Sequence, residues 1–199
     1  MGAPMAGHLA RAGHRVTVHN RTLSKALAWG AGHGGAHAAT PREAAAGTSV
    51  VFTCVGDDDD LQSVVLGADG ALASMAAGAI LVDHATVSAD LARRLGAEAR
   101  QRGCAFIDAP VSGGNVGRGR RRAHRAVRRR RGRSMVESRF DFGFAVDLMR
   151  KDLGLVLDEA RRNGARLPIT ELINGYYGEL QADSDGGRLD ITSLIKRLN

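Results

Sequence analysis

Four short apolar runs are spaced through the first 111 residues: RVTVHN (15–20), SVVFTCVG (49–56), AILVDHATV (79–87) and CAFIDAPV (104–111). Each is broken by a polar residue or glycine, the pattern of strands buried on both faces of a sheet. Between them lie GHLARAG, SKALAWGAG, TPREAAAG, DLQSVVLG and SADLARRLGAEARQRG, which read as helices. The last opens on Ser88 as N-cap, carries Asp90 in its first turn and closes on Gly103. Strand and helix in strict alternation require right-handed crossovers and a parallel sheet. The fold class is therefore α/β, doubly wound.

The pattern changes after residue 138. FAVDLMRKDLGLVLDEARRNG places Val146, Met149, Leu153, Val156, Leu157 and Ala160 at helical spacing and stops at Gly164, with Pro168 beyond. ITELINGYYGELQ is a second helical run, and ITSLIKRL, with Asp190 as its N-cap, is a third. These stripes read as packing faces. The expected division is 1–115 for the α/β domain, 116–138 for an irregular linker and 139–199 for a small all-α domain.

The linker carries the charge. Residues 118–133, RGRRRAHRAVRRRRGR, hold ten arginines and no acid, and without them the formal +7 of the chain turns negative. Basicity thus belongs to one segment. Cys54 and Cys104, both in strand-like runs, read as reduced core residues rather than a disulfide or metal site. No apolar run approaches the roughly 20 residues of a bilayer span, and MGAPMAGHLARAGHRV lacks the order of a secretory signal. The expected compartment is the cytoplasm.

Four stretches carry the chemistry: GAPMAGHLARAGHRVTVHNRT, CVGDDDDLQSVV, LVDHATVS and FIDAPVSGG. The first has the grammar of the later part of a dinucleotide-binding βαβ unit. In this order, and followed by KDLGLVLDEARRNGARLP and GRLDITSLIKRL, they resemble the β-hydroxyacid dehydrogenases, the family of 3-hydroxyisobutyrate dehydrogenase and tartronate semialdehyde reductase. The resemblance covers nearly all of the chain except residues 118–133, and FIDAPVSGG is its most specific piece. It implies a Rossmann-like domain binding a nicotinamide dinucleotide, a helical domain and a small hydroxy-acid substrate.

The resemblance assigns roles residue by residue. Gly2 matches the last glycine of the phosphate loop, where a side chain would block the helix N-terminus from the pyrophosphate. Asn20, Arg21 and Thr22 follow the second family strand, where the adenosine ribose is read. A guanidinium at Arg21 suits a 2′-phosphate, so NADP is favoured and NAD is the alternative. A plain surface arginine at a helix start is the other reading of Arg21. Val55 and Gly56 end the next strand beside the cofactor ribose, and Thr86 lies near the nicotinamide ribose. Ser112, Gly113 and Gly114 form a hydroxyl and N–H cradle for the substrate carboxylate. Lys151, in the family's KDL motif, reaches back over the cofactor site, or is simply a cation on an amphipathic helix. Asp57 to Asp60 complement the dipole of the helix they open, with metal binding as the alternative. His84 reads as structural.

Three departures accompany the resemblance. The chain opens inside the phosphate-loop fingerprint, so the first strand of the sheet is missing from it, which would expose two strand edges. The lysines are Lys25, Lys151 and Lys196, none in the GxGxxxKxxNN context that supplies the family's catalytic lysine. Such a loss costs about 10²–10⁴-fold in rate, so activity is expected to be impaired and no catalytic residue is assigned. The arginine tract stands where the family continues into another strand. It reads as a disrupted frame with loss of the long interdomain helix. Two readings compete with a working dehydrogenase: a catalytically dead dinucleotide-binding remnant, and a polyanion or nucleic-acid binder using the tract. No membrane partner is expected. A homo-oligomer through the helical domain is implied by the family.

Overall fold

A computed structural model describes residues 1–111 and 132–198. The chain divides into two compact units, Met1–Val111 and Ser112–Asn199.

The first unit begins with helix α1 (Gly2–Arg11), strand β1 (Thr17–Val18), helix α2 (Leu23–His33) and strand β2 (Ala36–His37). Helix α3 (Pro41–Ala45), strand β3 (Val50–Thr53), helix α4 (Asp58–Leu66) and strand β4 (Ile80–Asp83) follow. Helix α5 (Ala89–Gln101) and strand β5 (Ala105–Asp108) complete it. All strand pairs are parallel, as the alternation requires. The strands form two sheets rather than one, β1-β2 and β3-β4-β5, so β1 and β3 each end a sheet. Strand β2 is a finding: Ala36–His37 has no apolar run to announce it.

One face of the larger sheet makes the core. Leu81 at its centre is fully buried against Leu61 and Val65 of α4 and Leu91, Leu95 and Ala99 of α5, with Val51 and Phe106 alongside. The expectation of burial on both faces holds for this face and only in part for the other, where the central Val82 is buried and its neighbours are not. On the opposite face, Phe52, Val82 and Ile107 share a register row, and Val50 lies two residues before Phe52. Val50, Phe52 and Ile107 are 39, 48 and 47% exposed. Helices α4 and α5 cover the other side, and nothing described covers this one to the same degree. Trp29 joins the first two helices: it is buried on α2 and its indole N–H donates to the Ala3 carbonyl of α1 at 3.0 Å.

The described part of the second unit is helical, as its spacing predicts. A single helical turn at 132–136 precedes helix α6 (Val146–Asn163) and helix α7 (Pro168–Gln181). A 3-10 turn (Gly186–Arg188) and a 3-10 stretch (Ile191–Leu198) follow, so the last run is a tighter helix than the α-helix its periodicity suggests. Val146, Tyr177 and Leu180 form the core, with Met149, Leu153, Ile173, Ile191 and Leu194 packed on it. Leu157 and Ala160 of the predicted stripe are buried too, but Val156 is 49% exposed and does not belong to the packing face.

Candidate functional site

In parallel sheets the loops leaving the carboxyl ends of the strands converge and carry the ligands. Three such exits are tied together in the first unit: residues 19–22 after β1, 54–60 after β3 and 84–88 after β4. The tie is acidic. Asp57 is the N-cap of α4 and accepts the Asp60 N–H at 2.9 Å. Asp58 accepts from the Ser88 N–H at 2.9 Å and from the Ser88 hydroxyl. Asp60 pairs with the Arg21 guanidinium at 2.9 Å. The run read as complementing a helix dipole does so, and two of its members, Asp58 and Asp60, also hold partners outside the run. That could not be read from sequence, because Arg21 and Ser88 lie far along the chain on either side.

Ser88 in turn is the N-cap of α5, its hydroxyl oxygen accepting the Leu91 N–H at 3.2 Å, as the S-x-D pattern predicts. Removing that hydroxyl in Ser88→Ala is expected to cost about 1 kcal/mol of stability. The measurement is the midpoint of urea unfolding, and an unchanged midpoint would contradict the assignment of both contacts.

Gly2 opens α1 and lies against the end of β3: a Cβ there would stand 3.3 Å from the Cys54 Cβ. Helix α1 has no side-chain cap and no acid in its first turn, so its leading N–H groups face no anionic side chain of their own helix. Asn20 Oδ1 accepts the Thr22 N–H at 2.9 Å, which fixes the turn out of β1. The Arg21 side chain is 87% exposed while it holds Asp60. Val55 packs on the core, and Gly56 lies beside Asp60, whose Oδ2 would be 3.5 Å from a Cβ at Gly56. Thr86 is exposed in the loop clamped between Asp83 and Asp58.

Two side chains at the end of β4 complete the edge. Asp83 has no exposed surface; its Oδ1 accepts the Thr53 hydroxyl at 2.7 Å and the Ala85 N–H at 3.1 Å. Burial pushes its carboxyl above the ordinary range, against the lowering effect of those two hydrogen bonds; Asp108 adds to the rise and His84 opposes it. His84 Nδ1 lies 2.6 Å from the Ala109 carbonyl, and its ring stacks on Phe52 with centroids 5.7 Å apart. Sequence reading passed over Asp83 because a strand-end aspartate has no signal of its own.

Gly2, Asn20, Arg21, Thr22, Val55, Gly56 and Thr86 thus belong to one edge of the first unit. Lys151 is on α6 of the second unit, half-buried and 3.2 Å from the Asp152 carboxylate. Ser112, Gly113 and Gly114 lie outside the described residues, as does most of the arginine tract. Cys104 is a buried core residue, as expected, whereas Cys54 is only half-buried, against Gly2. Among the described residues no helix is long and apolar enough to cross a membrane, and no cluster of three or more metal-ligating side chains occurs.

The edge fits an anionic dinucleotide in two respects: a helix N-terminus at Gly2 with no side-chain cap and no acid in its first turn, and an exposed guanidinium at the exit of β1. Asp60 works against it, by holding that guanidinium.

Residues 1–122 match the family model described as the NAD binding domain of 6-phosphogluconate dehydrogenase. Residues 115–198 match the model described as NAD-binding of NADP-dependent 3-hydroxyisobutyrate dehydrogenase. An uncharacterized oxidoreductase of Shewanella frigidimarina is 39% identical over 276 aligned positions, covering 100% of this chain and 94% of that protein. That alignment is longer than the chain's 199 residues, so the relative has internal segments that this chain lacks. The NAD-dependent L-serine dehydrogenase of Pseudomonas aeruginosa is 38% identical over 118 residues, which is 59% of this chain and 39% of the enzyme. The 3-hydroxyisobutyrate dehydrogenase of the same organism is 37% identical over 57% of this chain and 38% of its own length. The chain therefore matches well under half the length of these two enzymes. Among solved structures, Mycobacterium tuberculosis 3-hydroxyisobutyrate dehydrogenase with L-serine superposes with a TM-score of 0.80 at 23% identity, covering 100% of this chain and 96% of that one. That likeness is one of fold.

Proposed function

The chain belongs to the β-hydroxyacid dehydrogenase family, and from that premise we propose that it is a nicotinamide-dependent oxidoreductase acting on a small hydroxy acid. The observation that carries the reading is the edge itself, where the bare N-terminus of α1 at Gly2 and the exposed Arg21 guanidinium flank the exits of β1 and β3. The cofactor is NADP, with NAD as the alternative. When bound, it supplies hydride exchange at its nicotinamide ring. Gly2 leaves room for the pyrophosphate at the helix N-terminus, where N–H groups and the helix dipole attract negative charge. Arg21 reads the 2′-phosphate from the turn fixed by Asn20 and Thr22. Val55 and Gly56 line the ribose, and Thr86 stands near the nicotinamide end. The family resemblance gives the substrate carboxylate to Ser112, Gly113 and Gly114, and a cofactor-binding role to Lys151.

No lysine occupies the family's catalytic context, and we assign turnover to be slower by about 10²–10⁴-fold for want of that acid–base group. The finer proposals are a cytoplasmic location, a homo-oligomer and salt-dependent polyanion binding by residues 118–133.

Cofactor choice is tested by calorimetric titration with NADP and NAD. Arg21→Ala is expected to weaken NADP about tenfold and leave NAD unchanged, since a charge-assisted hydrogen bond contributes roughly 1.5–3 kcal/mol and exposure trims it. Asp60→Asn is expected to strengthen NADP, by freeing Arg21 and removing a negative charge near the 2′-phosphate. Equal losses for both dinucleotides in Arg21→Ala would overturn the role of Arg21. Binding of neither by the unaltered chain would overturn the function.

A further inference from the structure

Three side chains stand in one register row across the larger sheet: Thr53 on β3, Asp83 on β4 and Asp108 on β5. Residues in register on neighbouring strands share a face about 4.8 Å apart, and the Thr53 hydroxyl on Asp83 Oδ1 confirms the arrangement for the first pair. The two oxygens of Asp83 are treated differently. Oδ1 takes both donors, from Thr53 and from the Ala85 N–H. Oδ2 is buried and, among the described residues, has no hydrogen-bond partner. On the side away from Thr53, the next strand presents Asp108, an exposed carboxylate. Among the described residues the charged groups acting on Asp83 are Asp108 and His84. His84 follows it directly, so it projects to the other side of the strand, where it meets Ala109 and Phe52. No guanidinium or ammonium group is among these neighbours.

An ionised Asp83 would leave a fully buried anionic oxygen beside a second carboxylate. A neutral one removes the buried charge and its repulsion with that carboxylate. We propose that Asp83 is a carboxylic acid in the folded chain, with its proton on Oδ2, and that this neutral form positions the loop carrying Thr86. Oδ1 then serves as a carbonyl-type acceptor for Ala85, while Asp58 holds the far end of the loop at Ser88. The second half of the proposal rests on the dinucleotide reading given above. Asp83 is a positioning residue, since it touches the loop and not the ligand.

Raising the carboxyl above its unfolded value means that the stabilisation is fully present below that value, about 3.9, and is lost as pH rises through the folded one. Asp83→Asn is the test, because its amide oxygen replaces Oδ1 and its NH₂ replaces the protonated Oδ2. Thermal unfolding of the ligand-free full chain is followed from pH 4 to 9. The melting temperature of Asp83→Asn minus that of the unaltered chain is expected to climb by several degrees with rising pH and then level off. Asp108→Asn, at an exposed position, removes the facing charge and is expected to lessen the alkaline loss. It serves as the readout if Asp83→Asn does not fold. A difference independent of pH in both variants would overturn the neutral acid. The loop assignment is tested by NADP titration over the same range: affinity is expected to fall with pH in the unaltered chain more steeply than in Asp83→Asn. Parallel pH profiles would overturn the positioning role. If the chain binds no NADP at any pH, the dinucleotide reading and the positioning role fail together, and the unfolding curves still decide the protonation.

Discussion

Leu81→Ala is expected to lower the stability of the first unit by about 2–5 kcal/mol, a large share of the roughly 5–15 kcal/mol that holds a typical domain. Leu81 is on the central strand of the larger sheet, fully buried, and it meets the apolar stripes of both α4 and α5. The covered face has little redundancy. The opposite face, with Val50, Phe52 and Ile107 half open, contributes less burial than a doubly covered parallel sheet would. A cavity at Leu81 therefore removes contacts that nothing on the other side replaces. Urea unfolding followed by the fluorescence of Trp29, the single tryptophan and a residue of the same unit, measures the loss. Ile107→Ala is the internal control. It deletes a similar side chain from the open face, where 47% of the residue is already in water, and its cost is expected to be well under half as large. Equal costs for the two substitutions would show that the open face is closed in solution.

That open face marks a limit of sequence reasoning. Apolar runs such as VVFT and ILVD announce strands with both faces apolar, and the strands are there. Whether anything covers each face depends on which helices the chain provides and on which side their crossovers lie. The helices α4 and α5 that join β3, β4 and β5 cover one side of that sheet. The same reasoning explains the split into two sheets. Strand propensity is local, but which strands pair is not, and β1 and β3 end separate sheets. Helix ends were more legible, because a cap is a matter of three or four adjacent residues: Ser88 with Leu91 reads directly. For the site, residues at strand exits were visible through the resemblance, whereas their restraints were not. Arg21 with Asp60, and Asp58 with Ser88, are contacts across about thirty to forty residues of chain. Arg21 illustrates the consequence: its charge suits a 2′-phosphate, yet in the folded chain it already has an acid beside it.

A long-range restraint of the same kind governs the second unit, where Asp190→Ala is expected to cost about 3 kcal/mol or more. Sequence reads Asp190 as the N-cap of ITSLIKRL, and its Oδ1 does accept the Thr192 N–H at 3.0 Å and the Thr192 hydroxyl at 2.6 Å. The other oxygen does something the sequence does not suggest. Oδ2 accepts the Phe144 N–H at 2.9 Å, from the segment that leads into α6. The two segments run together there: Asp190 N–H donates to Phe140, Ile191 N–H to Phe144 and Val146 N–H to Leu189. Gly143 has φ +87°, and a Cβ on it would collide with the Asp190 carboxylate. Position 143 must therefore be glycine for two independent reasons, backbone conformation and space. Truncating Asp190, which has no exposed surface, strands the Phe144 and Thr192 N–H groups, each at about 1–3 kcal/mol when buried. Asp190→Asn keeps one acceptor oxygen and turns an NH₂ toward Phe144 N–H, so its cost is expected to fall between those of the unaltered chain and Asp190→Ala. Gly143→Ala should match or exceed Asp190→Ala, because it displaces the same carboxylate and adds left-handed strain. The ordering is read from urea midpoints by far-UV circular dichroism. Asp190→Asn as costly as Asp190→Ala would mean that the Phe144 bond carries the whole effect, and a stable Gly143→Ala would show that the two segments part without penalty.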